Sequence, residues 1–187
     1  MPEADIVIRE ERPEDRPAVE DVVARAFGQA EVAELVGRIR SSAGFVPELS
    51  LVAEEAGAVV GHVMLSHLDL EDHGGIRHRV LTLSPLSVVP ERQRRGIGGS
   101  LIRAAIERAD EREEPLIVLE GSPAYYPRFG FRHSVPFGIR IHLPSWAPPE
   151  AAMVLPLRGY RPEIRGTVVY PPAFDVVVED RPDADQP

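Results

Sequence analysis

The chain has 187 residues, 43% of them hydrophobic and 27% charged, the balance of an ordinary globular protein long enough to bury roughly 70% of its unfolded surface in one core. It contains no Cys and no Lys, which excludes disulfides, thiolate nucleophiles, Cys-ligated zinc, a phosphate-loop NTPase and a pyridoxal Schiff base. A net charge of −9 speaks against nucleic-acid binding and suits a cationic partner, while the lack of a long apolar run and of a basic-then-apolar N-terminus predicts a cytoplasmic protein that does not engage membranes.

In chain order, Ile6-Val7-Ile8 is a short strand, and Val19, Val22, Val23, Ala26 and Phe27 recur at helical spacing up to Gly28. A second amphipathic helix runs from about Gln29 to Ser41, and both helices are expected to cover a sheet. Leu49 to Ala53 and Val59 to Leu70 read as a hairpin across Glu54-Glu55-Ala56-Gly57, and the turn at Asp72 to Gly75 leads into a third antiparallel strand, Arg77 to Val89. His62 and His67 are an odd number of residues apart on one strand, so they face opposite sides and cannot share a metal; no metal site is expected.

The third strand carries a parity flip. Leu81 and Leu83 are apolar against Thr82 and Ser84, then Leu86 and Val88 are apolar against Ser87, which predicts a β-bulge at Pro85, a residue with no N–H for the ladder. After it, PERQRRGIGGS delivers arginines and glycines to the start of an amphipathic helix marked by Leu101, Ile102, Ala105, Ile106 and Ala109. A helix start presents unpaired N–H groups and a positive dipole end, so three preceding arginines, Arg92, Arg94 and Arg95, point to an expected anion. Leu116 to Leu119 is a continuous apolar run, as in a parallel strand buried on both faces, and it ends at Glu120-Gly121. Ser122-Pro123 opens a helical turn that Pro127 keeps short; Phe137, Ile139, Ile141 and Leu143 alternate as a strand, with further strands at Met153 to Leu157 and Thr167 to Tyr170. Residues from about Glu179 form an acidic tail expected to be disordered.

Gln93, Gly96 and Gly98 fill the fixed positions of a Q/R-x-x-G-x-G/A signature, and Tyr126 to Phe131 fits Y-x-x-x-G-F. In this order, behind a bulged strand, the chain resembles the GNAT superfamily of acetyl-CoA-dependent N-acetyltransferases, and its closing GTVVYPPAF is similar to the YhbS-like bacterial branch. The resemblance implies an α/β (α+β) GNAT acyl-CoA N-acyltransferase fold: a mixed, mostly antiparallel sheet of about seven strands, helices on both faces, and a splayed, bulged central strand. It implies a single domain over residues 1–178, with an acetyl-CoA core at about 5–145 and C-terminal strands at about 146–178, followed by the tail at 179–187.

The same resemblance implies that main-chain groups of Arg94, Arg95, Gly96, Ile97, Gly98, Gly99 and Ser100, with Gln93, bind the coenzyme A pyrophosphate, and that Leu86, Val88 and Val89 lend backbone to the pantetheine arm. Tyr126 falls where relatives carry a tyrosine beside the thioester sulfur, with Tyr125 as the alternative; Glu120 is the candidate general base, ahead of His62 and Ser66. The expected reaction moves acetyl from acetyl-CoA to a primary amine on a small molecule or a protein or peptide, by direct attack in a ternary complex, in a monomer or homodimer. Two rivals stand beside it. A dinucleotide-binding domain is opposed by Leu101 at the third glycine position and by the PERQRR stretch between strand and glycines. A non-catalytic acyl-CoA sensor on the same fold is the other, since a fold alone does not establish turnover.

Overall fold

The computed structural model describes residues 5–175, so the acidic tail lies outside the described residues. Strand β1 (Ile6–Glu10) leads through a short turn into α1 (Arg16–Phe27) and α2 (Ala30–Arg40). The meander is β2 (Phe45–Glu55), β3 (Ala58–Glu71) and β4 (Arg77–Val88), and the crossover is α3 (Ile97–Glu111) into β5 (Leu116–Glu120). The remainder holds β6 (Arg132–His133), β7 (Ile139–Arg140), β8 (Ala152–Pro156) and β9 (Gly166–Val169).

All these strands belong to one open, nine-stranded sheet ordered β1-β2-β3-β4-β5-β8-β6, with β9 pairing β3 and β7. That is two more strands than the seven or so expected: the two-residue strand β6 has no expected counterpart, and β7 is a two-residue remnant within the strand expected over Phe137 to Leu143. Every pairing is antiparallel except β4 with β5 and β7 with β9.

The period-two pattern of the meander sorts the two faces. Leu51, Val63, Leu65, Leu81 and Ile117 face α3, which buries Leu101, Ile102, Ala105 and Ala109 against them. Val52 and Met64, one residue out of step, face α1 and α2 through Val19, Val23, Val36 and Ile39. Beyond the end of β2 on that second face, Leu68, Val80, Val118 and Val154 are covered by the C-terminal segment through Ile139 and Val168.

The strand expected over Phe137 to Leu143 is not formed. Phe137 closes a 3-10 turn (Val135–Phe137), Gly138 takes a left-handed φ of 70° that no strand tolerates, and only Ile139–Arg140 pairs, with β9. The alternation of apolar residues there reports packing on either side of a turn rather than a ladder. No described helix is long and apolar enough to cross a membrane.

Candidate functional site

The site begins where β4 leaves β5. Those strands pair only at Leu81↔Ile117 and Thr82↔Val118, after which they part. Against β3, the register runs Leu65↔Leu83 and then Val63↔Leu86, so β4 carries one extra residue at Ser84-Pro85, and that peptide bond is cis. The bulge returns Leu86 and Val88 to the face held by Leu81 and Leu83, as the parity flip requires.

Ladder alternation then decides which backbone groups face the gap. The Val89 N–H donates to the Val60 carbonyl at 3.0 Å, which directs residues 87 and 89 at β3 and residues 86 and 88 at the vacated edge. Val89 is therefore a correction to the expected set of three, because its N–H is already committed to β3. Leu86 and Val88 turn their main-chain groups to the vacated edge, and Gln93 Nε2 donates to the Val88 carbonyl at 3.1 Å.

The stretch from Pro90 to Gly96 is fastened at both sides. Arg92 pairs with Glu55 at the end of β2, and Arg25 of α1 pairs with Glu91 at 2.8 Å. Arg94 takes a left-handed φ of 59° and Gly96 one of 84°, so the backbone turns sharply and aims successive N–H groups outward at the start of α3. Arg94 and Arg95 have no carboxylate partner among the described residues.

A cavity of about 400 Å³ opens on this helix start. Its charged lining is Arg92, Arg94, Arg103 and Arg128, with no acidic residue among the described residues, in a chain of net charge −9. Main chain at Gly96, Ile97, Gly98 and Gly99 forms the floor, and Gln93, Tyr125 and Phe129 complete it. A Cβ on Gly98 would stand 3.2 Å from Tyr125 Oη and one on Gly99 3.2 Å from Arg103 Nη1, so glycine keeps the backbone approachable. Of the expected coenzyme-binding residues, Leu86, Val89, Arg95 and Ser100 lie outside the lining; the Ser100 hydroxyl donates back to the Gly96 carbonyl at 3.3 Å.

Arg103 and Arg128 escaped the sequence reading. Arg103 follows Gly99 by one helical turn and stacks over Phe129 at 5.3 Å, while Arg128 stacks over Tyr125 at 4.8 Å. The signal available was positional: a cation one turn into a helix that starts on glycines shares their face.

The two tyrosines diverge. Ser122 accepts backbone hydrogen bonds from both, and the 3-10 turn Tyr126–Phe129 places Pro127 where no N–H is needed. Their rings sit edge to face, centroids 5.2 Å apart at 88°, so Tyr125 lines the glycine cavity while Tyr126 turns into the core against Phe131. Tyr126 is 2% exposed and shares its cluster with Leu83, Leu86, Val88, Ile97 and Leu119; burial pushes its phenol well above the usual value. Gly121 makes this placement possible, because a Cβ there would lie 2.4 Å from the Tyr126 ring. Gly121→Ala is expected to displace Tyr126 and cost about 1–3 kcal/mol of stability, read by denaturant unfolding. An unchanged midpoint would mean the ring is not held by this contact.

Glu120 ends β5 on the face opposite to Leu119 and Tyr126, the face covered by the C-terminal segment. Desolvation raises its carboxyl pKa, opposed by a hydrogen bond that the Tyr170 hydroxyl donates to its Oε1 at 2.6 Å. Tyr126 and Glu120 thus stand on opposite faces of the sheet at the end of β5, with the gap between β4 and β5 beside them. His62 is elsewhere: it is fully buried beneath α2, its Nε2 3.1 Å from Ser50 Oγ, beside Glu11, whose carboxylate pairs with Arg40 at 2.5 Å. Burial pushes the His62 pKa down, against the pull of Glu11. Ser66 is also buried in the sheet, paired across from Thr82. No group of residues able to hold a metal ion is found among the described residues.

Residues 7–134 match the acetyltransferase (GNAT) domain. YjhQ of Escherichia coli K12, an uncharacterised N-acetyltransferase, is 35% identical over 63% of this chain, which spans 64% of YjhQ, somewhat less than two thirds of its length. YhbS of the same strain, also an uncharacterised N-acetyltransferase, is 30% identical over 75% of this chain and 81% of its own. The crystal structure of E. coli YhbS in complex with CoA superposes with a TM-score of 0.79 at 26% identity over 94% of both chains. A Brucella melitensis GNAT acetyltransferase in complex with acetyl-CoA gives 0.74 at 31% identity, over 92% of this chain and 99% of that one.

Proposed function

The chain belongs to the GNAT acetyltransferase family, and from that membership we propose that it is an N-acetyltransferase that moves an acetyl group from acetyl-CoA to a primary amine. The observation that carries this reading is the arginine-lined, acid-free cavity at the start of α3, opening beside the gap that β4 and β5 leave between them. Diphosphate fits the N–H groups of Gly96 to Gly99 and the cations of Arg94, Arg103 and Arg128. The outward backbone of Leu86 and Val88 suits a long, thin amide-bearing arm lying along β4, as an added strand would. Relatives holding CoA and acetyl-CoA support the same ligand here.

The opposed placement of the two candidate residues suits direct attack. With the thioester in the gap, the amine approaches from the Glu120 face and its nitrogen forms a bond to the carbonyl carbon. Glu120, directly or through a water molecule, takes the proton the nitrogen sheds. The carbon–sulfur bond breaks toward the other face, where the Tyr126 phenol gives its proton to the leaving thiolate and recovers one from solvent. The two carriers meet different demands: burial keeps Tyr126 protonated, and the same burial raises the basicity of a thiolate formed beside it, so the hydroxyl can serve the sulfur as a donor, whereas Glu120 is a carboxylate of raised basicity, so it serves as an acceptor. Because acetyl-CoA is already activated, positioning of the amine supplies a large share of the acceleration.

Acetyl-CoA at 100 times its Kd is expected to stabilise the fold by about 2.7 kcal/mol. Thermal unfolding with acetyl-CoA, CoA and NAD reads this directly, and a shift with NAD but none with acetyl-CoA would overturn the proposal. Thiol release across a library of primary amines then identifies the acceptor.

A further inference from the structure

The loop after β9 reaches back over the sheet to Glu120. Strand β9 is paired to the end of β3 through Asp69↔Val169, which sets Tyr170 on the sheet face where Glu120 lies. Tyr170 donates to Glu120 Oε1 at 2.6 Å, and its ring packs on Phe174 with centroids 5.2 Å apart. Phe174 in turn packs into the cluster formed by α1, α2 and the meander. From α2, Arg38 donates to the Pro172 carbonyl at 2.6 Å and the Asp175 carbonyl at 2.8 Å, bridging both ends of the 3-10 turn Pro172–Phe174. A continuous set of contacts therefore runs from α2 through the C-terminal turn to the carboxylate at the end of β5.

We infer that Tyr170 is a positioning residue for Glu120, and that the turn Pro172–Phe174, clamped to α2 by Arg38, fixes that tyrosine in place. This rests on the reading of Glu120 as the base. The geometry leaves Glu120 Oε2 as the oxygen without a described hydrogen bond, so the amine is met by one defined lone pair instead of a freely rotating carboxylate. The phenol also holds its proton, since burial and the neighbouring carboxylate both raise its pKa, so it remains a donor and does not compete as a base.

The surroundings of Glu120 keep this control simple. Its sheet neighbour on β8 is Ala152, β8 carries no titratable side chain, and β4 from Thr82 to Val88 carries none. Among the described residues only Tyr170 acts on it; Asp175, the other ionisable group in the described loop after β9, is tied to α2 through its carbonyl. The donated hydrogen bond stabilises the carboxylate and so lowers the pKa of Glu120. Its removal raises that pKa, so the base is lost to protonation at a higher pH.

The test is Tyr170→Phe, which keeps the ring and its packing. Carbon-13 titration of the Glu120 carboxyl, identified by its absence in Glu120→Gln, needs no acceptor and should show the midpoint rising in Tyr170→Phe. In thiol release with the best amine of the library, kcat should fall about tenfold. The acidic limb of kcat should move to higher pH in step with the titration, and KM for acetyl-CoA should stay unchanged. A carboxyl midpoint that does not move overturns the role of Tyr170, whatever Glu120 does. Glu120→Gln turning over as fast as the native chain overturns the base reading instead, and the two failures are seen in different experiments. The thermal midpoint of Tyr170→Phe in the absence of ligand should stay within a few degrees of the native value; a large drop with an unmoved titration would make the tyrosine structural only and overturn the inference.

Discussion

Gly98→Ala is expected to weaken acetyl-CoA binding tenfold or more while leaving the ligand-free fold as stable as before, or more so. The residue is in the first turn of α3, where alanine is favoured over glycine by up to about 1 kcal/mol. The nearest atoms to the added methyl are the hydroxyl end of Tyr125 at 3.2 Å, which a small ring movement relieves, and the side chains of Leu86 and Val88 at 3.8 Å, an ordinary packing distance. The same methyl enters the cavity at the floor on which a diphosphate would rest. Losing close approach to even one main-chain donor costs about 1.5–3 kcal/mol for a charged acceptor, which exceeds the helix gain. Calorimetric titration with acetyl-CoA, alongside unfolding without it, separates the two terms. A Kd unchanged in Gly98→Ala would place the diphosphate elsewhere.

Tyr126→Phe should lower kcat by about tenfold to a hundredfold and leave acetyl-CoA affinity intact, because it removes one proton donor and nothing that lines the glycine cavity. Tyr125→Phe should do the reverse, with a modest loss in coenzyme affinity from the changed cavity wall and little effect on kcat. The pair of variants therefore assigns the thiolate-side role. Pre-steady-state thiol release is the measurement, and full turnover in Tyr126→Phe with impaired turnover in Tyr125→Phe would exchange the two.

The fold was legible wherever side-chain period and backbone requirement coincided. The flip around Pro85 located the bulge between Leu83 and Leu86, because burial on one face makes a single-residue slip visible in the letters. Arginines and glycines before α3 pointed to an anion for the same kind of reason, since helix starts have unpaired N–H groups whatever surrounds them, and the cavity found there is what the proposal of a diphosphate rests on. The failures share another cause. The Phe137 to Leu143 alternation read as a strand because period two is also produced by a turn with apolar residues on both flanks. The commitment of the Val89 N–H depends on ladder phase, which side-chain letters do not carry. Tyr170 donates to Glu120 from across the sheet, through a strand pairing that no local pattern encodes.

The extra residue in β4 also bears on how such chains can be recombined. Every side chain between the bulge and α3 owes its inward or outward sense to one inserted position, so a chimera joined upstream of Ser84 must inherit the donor's bulge together with the donor's α3. A junction between Leu83 and Leu86 that takes the upstream strand from an unbulged donor would turn Leu86 and Val88 to the wrong side and offer their carbonyls to β3. Deletion of Pro85 does the same within this chain. The unit of exchange is therefore the segment from Leu81 to Leu101 taken whole.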